Sequence, residues 1–359
     1  MFRLIITHEC ICSLTLQHIT RVKDKKESGN ILQNVPNNVI RRMVEKLKFL
    51  SLKCRISKLQ FKQIFEVIAS GQSNLEELCL QQALLSTENK TENIEPGIIS
   101  DCLTKLLRVS LPNCGCLFSK LQLQSLLENL QAADFPTLKH LNMGGVNFLS
   151  YPKPLFSESL TKFETVNFQR SQVSTAQLTG LFKRLGLLGP TNLKHVKFGG
   201  LLDWGARLEQ IPTNILVDGF LNLVSVELPD NLKVEQTIML LAGILTKKAL
   251  CLKEIKFGQT DLKDVPSPLL EDSIMKLQSV DIGSKKLSSS SLNITVTSEQ
   301  VSGLLTNIIK KNHNLKNLKI TCWEDDNLSC LRCLIKEAKA KMNSLKVTSF
   351  CKTEDTAYL

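Results

Sequence analysis

Aromatic residues are the scarcest component of this sequence. Phe, Trp and Tyr together make up 5% of the 359 residues, with only two Trp and two Tyr. Aliphatic side chains therefore supply most of the 43% hydrophobic content. Because large rings dominate the cores of bulky globular domains, their shortage favours a thin core built from many similar Leu, Ile and Val contacts.

Long apolar runs and a secretion signal are also missing. No window approaches the eighteen uninterrupted apolar residues of a membrane span. At the amino terminus, His8 and Glu9 interrupt the apolar stretch, and no small-residue cleavage site follows it. The twelve cysteines are scattered along a long chain instead of forming a compact disulfide pattern. These features predict a cytoplasmic protein without a membrane segment, in which cysteines such as Cys102 and Cys251 are small buried side chains.

Catalytic and metal-binding patterns are sparse. The five histidines include no His-x-x-x-His pair, and Cys330-x-x-Cys333 lacks the second pair of ligands that zinc requires. The glycine pairs at 144–145 and 199–200 lack the lysine and the spacing of a phosphate-binding loop. We therefore predict a protein that is not an enzyme and that uses no cofactor or metal.

The sequence does contain one short pattern that recurs along its whole length. The template apolar-x-x-apolar-x-apolar is typical of a short strand that buries alternate side chains. Its copies are separated by about 30 residues, which is the signature of a repeat architecture. The twelve copies start at Ile11, Leu47, Leu75, Leu106, Leu138, Phe163, Leu193, Leu223, Leu252, Leu277, Leu315 and Met342.

The repeats are of two kinds, and the first kind has a long helix before the strand. An apolar i, i+3, i+4, i+7 quartet predicts this amphipathic helix in five repeats. Four of the five begin with a Ser/Thr-x-x-Gln capping box, which marks the helix start chemically. The boxes are Ser57–Gln60, Ser119–Gln122, Ser174–Gln177 and Thr297–Gln300. The fifth helix has Val234–Thr237 at the box position and the quartet Ile238, Leu241, Ala242 and Leu245.

The second kind of repeat has a proline shortly before the strand. Proline suits the first turn of a short helix, where its missing N–H has no partner to lose. The true period is therefore a doublet of about 60 residues: helix, strand, short helix, strand. Because one unit cannot bury its own apolar face, we predict an α/β solenoid whose units stack through a parallel sheet. The prolines are Pro36, Pro96, Pro152 with Pro154, Pro212 and Pro266.

The strand segments resemble leucine-rich repeats of the ribonuclease-inhibitor type, which also alternate two kinds of unit. The resemblance rests on LEELCLQQALLS (75–86), LRVSLPNCGCLF (107–118) and LKEIKFGQTDL (252–262). Cys114 and Asn231 fall where such repeats place the side chain that hydrogen-bonds the turn after the strand. The chain is also similar to the carboxy-terminal leucine-rich-repeat arrays of NOD-like receptors. The resemblance implies a curved horseshoe of about twelve repeats, with the parallel sheet on the concave face and the helices on the convex face.

The repeats predict a single solenoid domain over residues 1–359. Recognisable units span about residues 11–350. Residues 1–34 hold a degraded amino-terminal unit, and residues 328–359 form a carboxy-terminal capping unit and tail. Atypical terminal units are expected because they cover the exposed ends of a stack.

The outward positions of the strand template define a candidate binding surface. The formal net charge is +11, and lysines are dense at these positions from Lys194 to Lys319. We expect this concave face to bind a protein partner with an acidic surface, steered electrostatically. The expected contact residues are Lys139, His140, Arg170, Lys194, His195, Lys197, Lys253, Lys256, Lys316 and Lys319.

Two other functions remain open at this stage. A basic solenoid could bind nucleic acid, although the scarcity of aromatic residues at outward positions disfavours base stacking. The chain could also be a fragment or paralogue of the sensor region of an NOD-like innate-immune receptor. None of these patterns identifies the partner or the oligomeric state.

Overall fold

Short strands alternate with helices throughout the structure. The computed structural model describes residues 13–17, 35–53, 57–80, 94–111, 118–133, 136–187, 191–198, 208–229, 232–247, 251–258, 260, 262–283, 296–311, 313–323 and 328–350. The chain divides into two compact units, one of residues 1–177 with 191–193 and the other of 178–190 with 194–359. The single domain predicted for 1–359 stays a prediction.

The first unit is a parallel sheet with one helix between successive strands. Each strand pairs with the next one along the chain, from β1 to β6. The strands are β1 (Ser13–Gln17), β2 (Phe49–Lys53), β3 (Glu77–Leu80), β4 (Arg108–Ser110), β5 (His140–Asn142) and β6 (Thr165–Asn167). The helices are α1 (Asn37–Lys46), α2 (Lys58–Ala69), α3 (Pro96–Lys105), α4 (Lys120–Ala132), α5 (Lys153–Leu160) and the first three residues of α6 (Thr175–Leu187).

The second unit has the same plan. Its strands pair in parallel and in chain order from β7 to β12. They are β7 (His195–Lys197), β8 (Ser225–Glu227), β9 (Glu254–Lys256), β10 (Ser279–Ile282), β11 (Asn317–Trp323) and β12 (Ser344–Phe350). The helices are the rest of α6, a short 3-10 helix (Leu208–Gln210), α7 (Thr213–Leu221), α8 (Val234–Thr246), α9 (Ser267–Ile274), α10 (Ser298–Lys310) and α11 (Leu328–Lys339). Every copy of the sequence template carries a strand, so the predicted α/β solenoid fold is confirmed.

The few aromatic side chains are concentrated in the core. Among the described residues, nine phenylalanines are fully buried. In the second unit, Phe182, Phe198 and Phe220 form a cluster with ring centroids 4.9 to 5.9 Å apart. In the first unit, the rings of Phe156 and Phe168 lie 5.8 Å apart. The core is therefore an aliphatic stack with aromatic clusters inside it. One large ring is enough to fill the space between a helix and a strand.

The four predicted capping boxes are confirmed. In the box at α10, the Thr297 N–H donates to Gln300 Oε1 at 2.9 Å, and the Gln300 N–H donates to Thr297 Oγ1 at 3.2 Å. The Ser57, Ser119 and Ser174 boxes have the same two bonds. Each box satisfies donors of the first turn that have no partner inside the helix.

The fifth long helix begins one residue earlier than its sequence pattern suggested. Lys233 is the N-cap of α8, and its N–H donates to Gln236 Oε1 at 3.2 Å. Gln236 is thus the glutamine of a capping box whose N-cap, Lys233, has no hydroxyl group. The buried quartet is accordingly Thr237, Leu240, Leu241 and Ile244, and the predicted quartet beginning at Ile238 was wrong. The shift arises because the glutamine sets the register of the helix, and lysine at the cap position concealed the box.

The five capping glutamines also join neighbouring repeats. We use this name for the box glutamines, all of which are buried: Gln60, Gln122, Gln177, Gln236 and Gln300. Each donates its side-chain amide to a backbone carbonyl of the preceding repeat, 25 to 38 residues earlier in the chain. In the second unit, the Gln300 amide donates to the carbonyls of Leu262 at 2.8 Å and Val265 at 2.9 Å. One side chain therefore caps its own helix and fixes the position of the repeat before it.

The prolines begin the short helices, as predicted. Pro96 is the first residue of α3. The others that start helices, Pro36, Pro152, Pro212 and Pro266, occupy the N-cap itself, one position earlier than the first turn. The carbonyl of each of these four accepts the first hydrogen bond of its helix. Proline fits there because the extended backbone of an N-cap agrees with its fixed φ.

The cysteines differ in exposure more than the sequence indicated. Cys102 on α3 is fully buried and Cys79 on β3 is half-buried, whereas Cys251 and Cys333 are exposed thiols. The prediction of burial is therefore wrong for Cys251. This residue lies directly before Leu252, the first apolar position of the strand template, and so it falls outside the buried pattern. Cys54 and Cys114 lie outside the described residues.

We expect alkylation to distinguish the exposed thiols from the buried one. Burial raises the pKa of the Cys102 thiol well above its usual value, and only the thiolate reacts quickly. A brief pulse of iodoacetamide on the native protein should therefore label Cys251 and Cys333 but not Cys102, as read by peptide mass spectrometry. Unfolding in urea should make all three react. Equal labelling of Cys102 and Cys251 in the native state would contradict the packing of α3.

Candidate protein-binding surface

Each short strand presents its first and third residues on the face of the sheet opposite the helices. In β9, for example, Ile255 is 2% exposed and packs into the core, while Glu254 and Lys256 point the other way. The residue just before the strand, here Lys253, is also exposed. We call this surface the sheet face.

In the second unit, a leading row is formed by the residues that immediately precede β7 to β11. Backbone hydrogen bonds of 2.8 to 2.9 Å join each member to the next, so the residues are in register across the sheet. Lysines occupy alternate strands, and the two residues between them are uncharged. The row is Lys194, Val224, Lys253, Gln278 and Lys316.

A trailing row is formed by the third strand residues of the same unit. Here carboxylates stand between the lysines: Glu227 Oε1 lies 2.9 Å from Lys256 Nζ, and Asp281 lies 2.8 Å from Lys319 Nζ through either oxygen. Each carboxylate thus pairs with the lysine of the following strand. The row is Lys197, Glu227, Lys256, Asp281, Lys319 and Lys346.

The two rows therefore differ in charge. The leading row has three lysines and no carboxylate, whereas in the trailing row two of the four lysines are neutralised by ion pairs. With Glu254 at a first strand position, the sheet face of the second unit has seven lysines and three carboxylates, a net charge of +4. Most of this excess lies at the leading row.

The sheet face of the first unit is nearly balanced. Lys48 pairs with Glu76 at 3.3 Å, and Arg108 lies 3.9 Å from Glu77. Its third strand residues in β2 to β6 are uncharged: Ser51, Cys79, Ser110, Asn142 and Asn167. Basic character is therefore a property of the second unit.

Seven of the ten predicted contact residues lie together on the sheet face of the second unit. They are Lys194, His195, Lys197, Lys253, Lys256, Lys316 and Lys319. The other three belong to the first unit. Lys139 precedes β5, and the ring of His140 on β5 is 3.1 Å from Thr165 Oγ1. Arg170 is in the turn after β6 with a φ of 59°, beyond the end of the strand.

The ion pairs of Glu227 and Asp281 were not predicted from the sequence. Both residues stand at the template position of Lys256, so a parallel, in-register sheet places them beside that lysine on either side. This shared template position was the sequence signal from which the ion pairs could have been predicted. Because Lys256 and Lys319 are paired, less of the lysine charge is open to a partner than the sequence alone suggested.

Titratable groups with a raised pKa lie away from the sheet face. Burial raises the pKa of Tyr151, just before α5, to about 12, and it raises that of Cys102 on α3. Burial and the neighbouring Asp272 together raise the pKa of Glu271 on α9. Within the described ranges there is no group of three or more His, Cys, Asp or Glu able to hold a metal, and no helix long and apolar enough to cross a membrane.

Comparisons with known proteins identify the fold. No protein-family model and no curated protein matches the sequence. The structure is similar to a chain in the crystal structure of the yeast Rad7–Elc1 complex, with a TM-score of 0.54 and 15% identity over 89% of this chain and 75% of that one. This likeness supports the fold alone.

Two further solved structures are similar at lower TM-scores. An internalin, InlF of Listeria monocytogenes, has a TM-score of 0.39 and 13% identity over 86% of this chain and 70% of its own. The leucine-rich repeat-containing protein LegL7 of Legionella pneumophila has a TM-score of 0.42 and 14% identity over 96% and 92%. The chain has the leucine-rich-repeat fold. In each unit the strands are parallel and in chain order, each lies on an apolar-x-x-apolar-x-apolar segment, and a helix connects each strand to the next.

Proposed function

We propose that this protein is a non-enzymatic scaffold that binds a protein partner through the sheet face of its second unit, and that the bound surface of the partner is acidic. The leading row is the observation that carries this proposal. Lys253 and Lys316 are exposed, and neither forms an ion pair with another described residue. Exposed charge of one sign steers an oppositely charged partner and selects against others.

Two further observations support protein over nucleic acid as the partner. No Phe, Tyr or Trp stands in the leading row, the trailing row or the first positions of β7 to β12, so these positions offer no ring on which a base could stack. In the structural relative, Rad7 forms a complex with the protein Elc1. Repeat solenoids generally use their extended sheet surfaces for docking.

The doublet architecture supports assignment to the ribonuclease-inhibitor type of repeat. The long helices α2, α4, α6, α8 and α10 have 12 or 13 residues, and the short helices α1, α3, α5, α7 and α9 have 8 to 10. This alternation also agrees with a relationship to the repeat arrays of NOD-like receptors. We further propose a cytoplasmic location, because Cys251 and Cys333 are exposed unpaired thiols suited to a reducing compartment.

Charge reversal on the sheet face should weaken partner binding. In the variant Lys197→Glu, Lys253→Glu, Lys316→Glu, each changed lysine is outside the ion pairs of the trailing row. We therefore expect an unchanged melting temperature and at least about a tenfold loss of affinity, since several exposed charge contacts are reversed together. The measurement is quantitative co-purification from the native cell, followed by titration of the purified partner.

A matched control places the same charge change on the helical side. Lys183→Glu, Lys276→Glu, Lys336→Glu alters three exposed lysines on or directly after α6, α9 and α11. This variant should bind as the unmodified protein does. Equal losses in both variants would indicate a general effect of net charge, and equal retention would place the interface elsewhere.

A further inference from the structure

We infer that the leading row recognises an extended acidic segment of the partner protein, which crosses the strands and carries one carboxylate at every third residue. This inference rests on the function proposed above and adds to it the conformation, direction and spacing of the bound segment. It depends on three features of the second unit: the interval between lysines, the uncharged residues between them, and the exposed carboxylate of Glu254.

The interval between lysines follows from the doublet repeat. Neighbouring strands of a sheet lie about 4.8 Å apart, and the lysines immediately precede β7, β9 and β11. Lys194, Lys253 and Lys316 are therefore spaced by about 9.6 Å along a line across the strands. Val224 and Gln278 lie between them and present no charge. The row is thus a regular set of cationic sites with neutral gaps.

An extended polypeptide matches this interval. In the polyproline II conformation the chain rises about 3.1 Å per residue with three residues per turn, so every third side chain returns to the same side after about 9.3 Å. Carboxylates at that period would meet successive lysines of the leading row, and the two intervening residues would lie over Val224 and Gln278. The match holds over all three lysines of the leading row, because the two intervals differ by only about 0.3 Å.

Glu254 disfavours a more densely charged occupant. It stands at the first position of β9, directly after Lys253, and it is exposed. An uninterrupted run of acidic residues over the leading row would bring surplus carboxylates near Glu254. This like charge selects for a segment whose acids are spaced.

Synthetic peptides test the spacing directly. Three peptides of equal length and equal glutamate content are compared: glutamate at every third residue with Ser and Pro between, glutamates in one block, and glutamates at heptad positions of a helix-forming sequence. Binding is measured by fluorescence anisotropy on the full-length protein at low and physiological salt. We expect the every-third peptide to bind roughly tenfold more tightly than the other two, because its carboxylates align with successive lysines of the leading row, among them the exposed Lys253 and Lys316.

Variants of the protein show where the preference originates. Lys253→Glu, Lys316→Glu should remove the preference for the every-third peptide, whereas Lys183→Glu, Lys336→Glu on the helical side should retain it. Circular dichroism melts establish that both variants are folded. Peptide selectivity that survives the first variant would place recognition outside the leading row.

The possible outcomes separate this inference from the function on which it rests. Equal binding of all three peptides would overturn the spacing and leave an acidic partner in place. Tighter binding of the heptad peptide would overturn the extended conformation. Failure of every acidic peptide to bind would overturn both proposals. Tighter binding of duplex DNA than of any peptide, lost in the sheet-face variant, would overturn both in favour of nucleic acid.

Discussion

Gln300→Glu is expected to lower the free energy of unfolding by about 3–5 kcal/mol, the cost of a buried charge without a partner. Gln300 is 2% exposed, and its amide donates to the carbonyls of Leu262 and Val265. The substitution keeps the size of the side chain and the oxygen that accepts from the Thr297 N–H. It replaces the amide donor with a second oxygen, which faces two carbonyl oxygens.

The pH dependence of this effect separates lost hydrogen bonds from altered packing. The introduced carboxyl is buried against carbonyl oxygens, so its folded-state pKa lies above the unfolded value of about 4.3. Below the unfolded pKa the group is protonated in both states and can donate one bond. The variant should therefore lose stability as pH rises from the unfolded pKa through the folded one, and the deficit should be constant above it.

Urea unfolding between pH 4 and pH 8, with hydrogen exchange across α10, measures the effect. Gln210→Glu is the matched control, because Gln210 is exposed in the short 3-10 helix. It should change the unfolding free energy by less than about 0.5 kcal/mol. A similarly small change for Gln300→Glu at neutral pH would mean that the capping glutamine does not hold the neighbouring repeat.

Gly283→Ala is expected to destabilise the second unit by about 2–5 kcal/mol, from backbone strain and overpacking together. Gly283 follows β10 with a φ of +117°, a region that L side chains rarely adopt. A Cβ at this position would lie 2.5 Å from the Cβ of Thr321 and 3.0 Å from its carbonyl oxygen. Because β11 is fixed by pairing on both sides, neither strand can move away at low cost.

Gly97→Ala provides the opposite control. Gly97 is in the first turn of α3, and a Cβ there would meet no atom within 4 Å. Removing the conformational freedom of glycine from the unfolded chain should raise stability by up to about 1 kcal/mol. Thermal melts of the two variants should therefore shift in opposite directions. A shift of the same sign and size would show that the close approach of Gly283 to Thr321 does not occur.

Predictions from the sequence were most successful where the information is local. The strand template, the long-helix quartets and the Ser/Thr-x-x-Gln boxes all act within about a dozen residues. Their one failure was α8, where Lys233 in place of a hydroxyl concealed a box whose glutamine, Gln236, is in place. The local pattern at Ile238 was good enough to suggest a helix but not to fix which face was buried.

Predictions about side chains were weaker where the partner comes from another repeat. The sequence named Gln177 and Gln300 as helix caps, but only the folded chain shows that their amides bind the preceding repeat. It named Lys256 and Lys319 as part of a basic face, yet Glu227 and Asp281 neutralise both. It grouped Arg170, two residues past its strand template, with the basic face, and the structure puts Arg170 in the turn after β6.

The amino-acid sequence alone determined the repeat, its doublet period, the start of nearly every helix and the order of the strands. These depend on hydrophobic spacing and capping chemistry, which adjacent residues specify. Only the tertiary structure decided which charges are paired and which buried amides join one repeat to the next. The inter-repeat contacts described above form between residues 25 to 38 positions apart, and their geometry exists only after parallel stacking brings equal template positions side by side.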